Sequence, residues 1–229
     1  MRDGLFSHLQ IRVDTVNLAG PSNMAIDELL LKSVQTSALP VLRLYGWDVP
    51  SVSLGYFEPW QSAESFALPV TRRWTGGGVV LHGTPLDLTY TLVVPREHPF
   101  CLLCPTASYW AIHERLVMIL KSVGIDAALH DGPSSMPPGG PCFKKAVPGD
   151  VVASVTGEKL AGAGQRRSRV GLMHQGCLRL SEGIPAGLQD RLCEGFSSNC
   201  LPLTEAIDES LVQQLIAEKY GNFDWIRRH

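Results

Sequence analysis

The chain of 229 residues carries 20 Lys and Arg against 22 Asp and Glu, a formal net charge of −2, with 45% apolar and 18% charged residues. That balance supplies no basic face for nucleic acid or an anionic membrane surface, and the most apolar run, Leu88 to Pro95, is about half the ~18 residues of a membrane span. The length suffices for one sizeable core, so a single catalytic domain over residues 1–229 is expected, and a polar N-terminus with six cysteines read as reduced thiols points to the cytoplasm.

In chain order, Gly20-Pro21-Ser22 precedes Met24, Ile26, Leu29, Leu30 and Val34, a spacing that predicts a helix over about 23–36 with Ser22 as N-cap. Val41 to Tyr45 and Ser51 to Phe57, separated by Gly46, Asp48 and Pro50, read as a hairpin. Val70 to Trp74, Val79 to Leu81 and Leu88 to Val94 add three strands around a glycine turn. Tyr109, Ile112, Leu116, Ile119 and Val123 recur at intervals of three and four, predicting a helix over about 108–123 that Gly124 ends. Gly132 to Pro141 has turn chemistry and reads as a surface loop. Val151 to Thr156 with Lys159-Leu160 reads as a hairpin and Val170 to Leu180 as a strand. Leu211, Leu215 and Ile216, followed by Tyr220-Gly221, predict a last amphipathic helix. Strands and helices mix without a regular βαβ beat, so the class is α+β.

Three segments could carry chemistry. In Arg72-Arg73-Trp74-Thr75-Gly76-Gly77-Gly78-Val79-Val80-Leu81-His82, three glycines let backbone N–H groups converge on an anion or carbonyl beside the cationic fork of Arg73. A tight hairpin turn is the alternative, and neither the phosphate-loop nor the dinucleotide fingerprint is present. In Gly157-Glu158-Lys159-Leu160-Ala161-Gly162-Ala163-Gly164-Gln165-Arg166-Arg167, a lysine beside small residues is a candidate for electrostatic or proton-transfer work, or else a solvated turn residue. Cys142, near Lys144, Lys145 and Lys159, is either a thiolate-rich nucleophile or an inert small residue. Cys101-x-x-Cys104 has no second ligand pair beyond His98 and reads as loop thiols; no metal is expected.

Taken together with Ser22-Asn23-Met24-Ala25-Ile26-Asp27-Glu28, Arg43-Leu44-Tyr45-Gly46-Trp47, Ser53-Leu54-Gly55-Tyr56-Phe57 and Ala217-Glu218-Lys219-Tyr220, these segments resemble the lipoate ligase and octanoyltransferase family. The resemblance implies the catalytic fold shared with biotin protein ligases, a mixed and largely antiparallel sheet with helices packed around an acyl tunnel. It implies that Arg73, Thr75, Gly76, Gly77, Gly78, Val79, His82 and Gly162 line the site for the acyl group or acyl-adenylate. Lys159 matches the family's lysine, and Cys142 matches the acyl-carrying cysteine of the single-domain octanoyltransferases of the Gram-positive type. This chain departs from the pattern in having Lys144-Lys145 after Cys142-Phe143, and in reading His174-Gln175-Gly176 where the family has Gln-His-Gly.

The expected activity is transfer of an octanoyl group from acyl carrier protein, through Cys142, to a lipoyl-accepting domain such as the glycine cleavage H protein or a 2-oxoacid dehydrogenase E2. No cofactor is expected. Arg72, Arg166, Arg167 and Arg169 are candidate docking cations, and Cys177 is the reserve nucleophile. Two alternatives stay open: a lipoate ligase using ATP and Mg without the accessory C-terminal domain, and a non-catalytic homologue that binds lipoyl domains.

Overall fold

The computed structural model describes residues 4–84, 86–132 and 146–229. Its elements are β1 (Leu9–Val13), α1 (Gly20–Ser37), β2 (Val41–Tyr45), β3 (Ser51–Leu54), β4 (Val70–Arg72), β5 (Val79–His82), β6 (Asp87–Pro95), α2 (Pro105–Ser122), β7 (Ala127–Leu129), β8 (Val151–Ala153), β9 (Lys159–Arg167), β10 (Gly171–Arg179), α3 (Leu188–Phe196), β11 (Cys200–Pro202), α4 (Glu209–Leu215) and α5 (Phe223–Ile226). A single wider turn, Ile216–Tyr220, prolongs α4. Among the described residues the strands make an eight-stranded sheet in the order β11-β1-β2-β6-β10-β9-β8-β7 and a three-stranded sheet in the order β4-β3-β5. In the large sheet β1 runs parallel to both of its neighbours, and the remaining pairs are antiparallel. The expected α+β class with a mixed, largely antiparallel sheet is therefore what the chain forms. No helix among the described residues is long and apolar enough to cross a membrane.

The central strands β6 and β10 are buried on both faces, which explains why Leu88 to Pro95 reads as a continuous apolar run rather than an alternating one. One face, with Leu88, Leu92, Val94, Leu172 and Leu178, packs on Ile112, Leu116 and Leu120 of α2 and Leu188 and Leu192 of α3. The opposite face sends Val93 and Met173 against Met24, Leu30, Leu31 and Val34 of α1, and Tyr220 joins the same core. Val52, Leu54, Ala63 and Val79 form a small third core on the three-stranded sheet.

The structure corrects several local expectations. Helix α1 starts at Gly20, with Ala19 rather than Ser22 at the N-cap and no side-chain cap. Pro21 needs no hydrogen-bond partner in the first turn, and Asn23 holds the helix start by donating to the Leu18 and Gly46 carbonyls at 3.0 and 3.1 Å. The expected hairpin of residues 41–57 does not exist: β2 pairs with β1 and β6, whereas β3 pairs with β4 and β5 in the other sheet. The cause is Trp47, which is buried in the connection and anchored by its Nε1 to Thr89 Oγ1 at 2.9 Å, so the chain leaves one sheet there and enters the next. The residue 151–160 hairpin forms, but its second strand runs on to Arg167. In α4 Leu211 is exposed and Val212 is the buried residue. The expected loop of 132–141 lies, from residue 133 onward, outside the described residues.

Candidate functional site

The triple glycine joins β4 to β5 and crosses between two further glycines. A Cβ on Gly55 would overlap the Gly77 carbonyl oxygen, and one on Gly164 would overlap that of Gly76. Gly77 itself has φ +94°, a conformation that side chains disfavour. Arg73 is buried and clamps this loop, its Nη1 donating to Ser53 O and Oγ at 2.9 and 2.6 Å and its Nη2 to Gly76 O and Gly78 O at 3.2 and 3.0 Å. The side of Gly76 where a Cβ would stand is open, with nothing within 4 Å. The loop thus has a rigid back held by Arg73 and an open front.

Thr75 ties the loop to the large sheet. Its hydroxyl donates to Gln175 Oε1 at 2.6 Å, and Gln175 Nε2 donates to Asp27 Oδ2 at 2.7 Å. Asp27 is fully buried in α1 and also accepts from Tyr45 OH at 2.9 Å, Thr91 Oγ1 at 2.7 Å and Arg43 Nη1 at 2.8 Å. A buried carboxylate so supplied with donors, including a guanidinium, is tolerated where an isolated one would not be. Burial alone would lower the Arg43 pKa; Asp27, Tyr45 and Asp14 outweigh it and hold the group above its usual value.

Lys159 opens β9 at the β8 edge and is buried, with Nζ 2.7 Å from Asp150 Oδ2. Gly162 makes room for it, since a Cβ there would lie 2.6 Å from Nζ. The other Asp150 oxygen accepts from Tyr109 OH at 2.6 Å, and that hydroxyl accepts from Ala163 N at 3.1 Å, beyond the last β8–β9 pairing. Burial and the Asp150 charge raise the Tyr109 pKa well above its ordinary value, so it remains a donor.

Behind this pair lies a chain of buried polar groups. Burial takes His174 well below the ordinary histidine pKa and His113 down to about 4, so both are neutral. Neutrality fixes every direction along the chain. Gln165 Nε2 donates to His174 Nδ1 at 3.1 Å, His174 Nε2 donates to Tyr90 OH at 3.1 Å, Tyr90 OH points at His113 Nε2 at 3.4 Å, and His113 Nδ1 donates to Gly149 O at 2.6 Å. The chain ends on the residue preceding Asp150 and so fixes the backbone that carries the partner of Lys159.

The fold therefore brings Arg73, Thr75, Gly76, Gly77 and Gly78 together in one loop and places Lys159 with Gly162 on the strand whose Gly164 that loop touches. Val79 belongs to the small third core, and His82 is buried under the Trp47 ring, stacked at 4.0 Å. Cys142 lies outside the described residues. Among the expected docking cations Arg72 is a correction: it is fully buried and donates to the carbonyls of Gly55, Glu58 and Ile226, so no partner protein can reach it. Arg166 covers the Tyr56 and Trp74 rings, Arg167 is tied to Cys101 O and Ser108 Oγ, and Arg169 is exposed. Cys177 is buried, and burial with Asp87 pushes its thiol up to about 12, which suits no nucleophile. Cys101 is buried in the short helical turn Pro99–Leu102, and Cys104 is exposed at the N-cap of α2, where loop thiols were expected.

Sequence reasoning assigned no role to Asp27, Gln175, Asp150, Tyr109 or His113. Tyr109 and His113 stand four apart on the apolar stripe of α2, and two polar-tipped rings on such a stripe were the available signal.

Residues 20–183 match the model of the lipoyl protein ligase A/B catalytic domain. The octanoyltransferase LipM of Carboxydothermus hydrogenoformans is 34% identical over 173 residues, covering 72% of this chain and 63% of that protein, so the chain spans less than two thirds of that relative's length. The octanoyltransferase LipM of Macrococcus caseolyticus is 29% identical over 227 residues, covering 86% of this chain and 79% of that one. A lipoate-protein ligase A solved with bound ATP superposes with a TM-score of 0.72 at 20% identity, over 96% of this chain and 98% of that one, which shows a common fold.

Proposed function

The chain belongs to the lipoyl protein ligase A/B catalytic-domain family, and from that premise we propose that it is an octanoyltransferase of protein lipoylation, moving an octanoyl group from acyl carrier protein to a lysine of a lipoyl-accepting domain. The observation that carries the reading is the buried Lys159–Asp150 pair at the start of the strand whose Gly164 meets the glycine loop, in a chain whose relatives of about 30% identity bear the name octanoyltransferase.

In this reading Cys142 attacks the donor thioester, the carrier thiol leaves with the proton, and the acyl group rests on Cys142 while the carrier departs. The acceptor amine then attacks the enzyme thioester, a new amide forms, and the Cys142 thiol is regenerated. Two steps avoid assembling donor, acceptor and enzyme around one site at once. Lys159 is the group that holds and moves the proton in both steps, with Asp150 fixing its Nζ and the Gly76 side of the loop receiving the acyl carbonyl. Neither ATP nor a metal ion has a step in this mechanism.

Intact-mass analysis after mixing with octanoyl carrier protein is the test: one octanoyl group is expected on the wild-type chain and none on Cys142→Ser. Pyrophosphate release dependent on lipoate and Mg-ATP, without acylation from the carrier, would replace this reading with that of a ligase. Binding of a lipoyl domain with neither reaction would leave a non-catalytic homologue.

A further inference from the structure

On the α1 face of the large sheet, away from Lys159, three groups from three strands converge: His82 at the end of β5, Asp87 at the start of β6 and Cys177 of β10. One ligand atom from each, a ring nitrogen, a carboxylate oxygen and Sγ, lies within 4.8 Å of the other two. We propose that these three residues form a binding site for a soft divalent transition metal, zinc being the best match.

The donor set is the first argument. Thiolate, imidazole and carboxylate together suit zinc, which prefers four-coordinate geometry with ligands about 2.0–2.3 Å away. Neighbouring ligands of such an ion are separated by well over 3 Å, so the 3.8 Å between His82 Nδ1 and Asp87 Oδ2 is too long for a hydrogen bond and close to the edge of a coordination tetrahedron. The second argument is His82 itself. The residue is 4% exposed, and its Nδ1 has no hydrogen-bond partner among the described residues, an uncommon state for a buried ring nitrogen. Its Nε2 is engaged by Ser53 Oγ at 2.7 Å, and Ser53 Oγ accepts from Arg73 Nη1 at 2.6 Å. The Nδ1 edge of the ring faces Asp87 Oδ2, and metal binding at Nδ1 requires the tautomer with Nε2 protonated toward Ser53, the outer-shell arrangement that orients metal-binding histidines.

Asp87 is prepared in the same way. Its Oδ1 accepts from Thr84 N and Oγ1 at 2.6 and 2.7 Å, whereas among the described residues Oδ2 accepts the Gly83 N–H at 3.3 Å. Cys177 Sγ makes a long contact of 3.6 Å to Leu178 O and also neighbours the Thr89 hydroxyl on the paired strand β6. Burial first, and then the nearby Arg73 and Arg179 charges, hold His82 well below its ordinary pKa and so neutral. Binding would replace the Cys177 S–H bond with an S–metal bond and release one proton to solvent, without any redox change. Three protein ligands leave the fourth tetrahedral position for water.

The test uses the full chain stripped with a chelator and titrated with Co2+, then Zn2+. One cobalt per chain is expected, with a near-ultraviolet thiolate-to-cobalt absorption that zinc abolishes by displacement. Cys177→Ser should lose that absorption, and Asp87→Asn, which keeps size and shape, should bind at least about tenfold more weakly. A zinc-dependent rise in melting temperature should appear in the wild type and be smaller at the same zinc concentration in Asp87→Asn. Absence of cobalt binding, or a thiolate band that survives in Cys177→Ser, overturns the proposal.

Discussion

A single histidine shows how burial becomes a measurable property. His113 is held neutral because burial takes its pKa from 6.5 to about 4, against the weaker opposing pulls of Gly149 O and Asp150. The groups facing it are Tyr90 of β6, His174 of β10, Tyr109 of α2, and the Asp150–Lys159 pair. In the unfolded chain the ring regains its ordinary value, so the unfolded state takes up the proton first as pH falls. The folded pKa is the lower one, so the contribution to stability is complete above about pH 6.5 and is lost progressively down to about pH 4. The total is about 3 kcal/mol, of which about 2 kcal/mol is gone by about pH 5. His113→Asn keeps an amide donor in the place of Nδ1 for Gly149 O and cannot titrate. Urea unfolding at about pH 7.5 and about pH 5 should therefore show a smaller fall in stability for this variant than for the wild type. Equal falls would mean that His113 is not the neutral buried ring described above.

At the scale of elements, the glycine loop is specified from both sides, and the two sides respond differently to a methyl group. Gly164→Ala places its Cβ on the Gly76 carbonyl, a backbone atom that cannot rotate away, so the loop and β9 must separate. Overpacking of this kind costs about 1–3 kcal/mol. Gly76→Ala meets nothing within 4 Å and should leave the melting temperature near that of the wild type. If the open front of the loop receives the acyl group, Gly76→Ala loses transfer activity at unchanged stability, whereas Gly164→Ala loses both. Full turnover by Gly76→Ala would remove that face of the loop from the site. The loop was legible from three adjacent glycines; its flanking glycines were not, because Gly55 and Gly164 stand far from it in sequence and meet it only through the packing of the two sheets. The misplaced hairpin has the same origin. Residues 41–57 have hairpin chemistry locally, and only the burial of Trp47 against β6 directs the two strands into different sheets.

Across the whole molecule, the segment after α4 explains why Ala217-Glu218-Lys219-Tyr220 is part of the same pattern as residues 22–28. Lys219 Nζ and Tyr220 OH both donate to Glu28 Oε2, at 2.6 and 2.7 Å, so the two ends of the chain meet at α1. Burial alone would raise the Glu28 pKa, but Lys219, Tyr220 and Lys32 bring it below the usual carboxylate value. Five residues further on, Trp225 Nε1 donates to Arg72 O at 3.1 Å and the Ile226 carbonyl accepts from Arg72 Nε at 2.9 Å. No spacing in the sequence could have linked residues 72 and 226, and Arg72 consequently read as an exposed docking cation. Deleting residues 222–229 would leave the buried guanidinium without the Ile226 acceptor, and an unmet hydrogen bond of a charged group costs about 1.5–3 kcal/mol. The lost cover from Trp225 adds to that figure. A double-mutant cycle separates the two contributions, because Arg72→Met removes the charge while keeping an unbranched apolar side chain. The deletion should lower the unfolding free energy by several kcal/mol in the wild-type background and by about 1.5–3 kcal/mol less in Arg72→Met. The same cost in both backgrounds would show that the tail stabilises β4 through apolar cover alone.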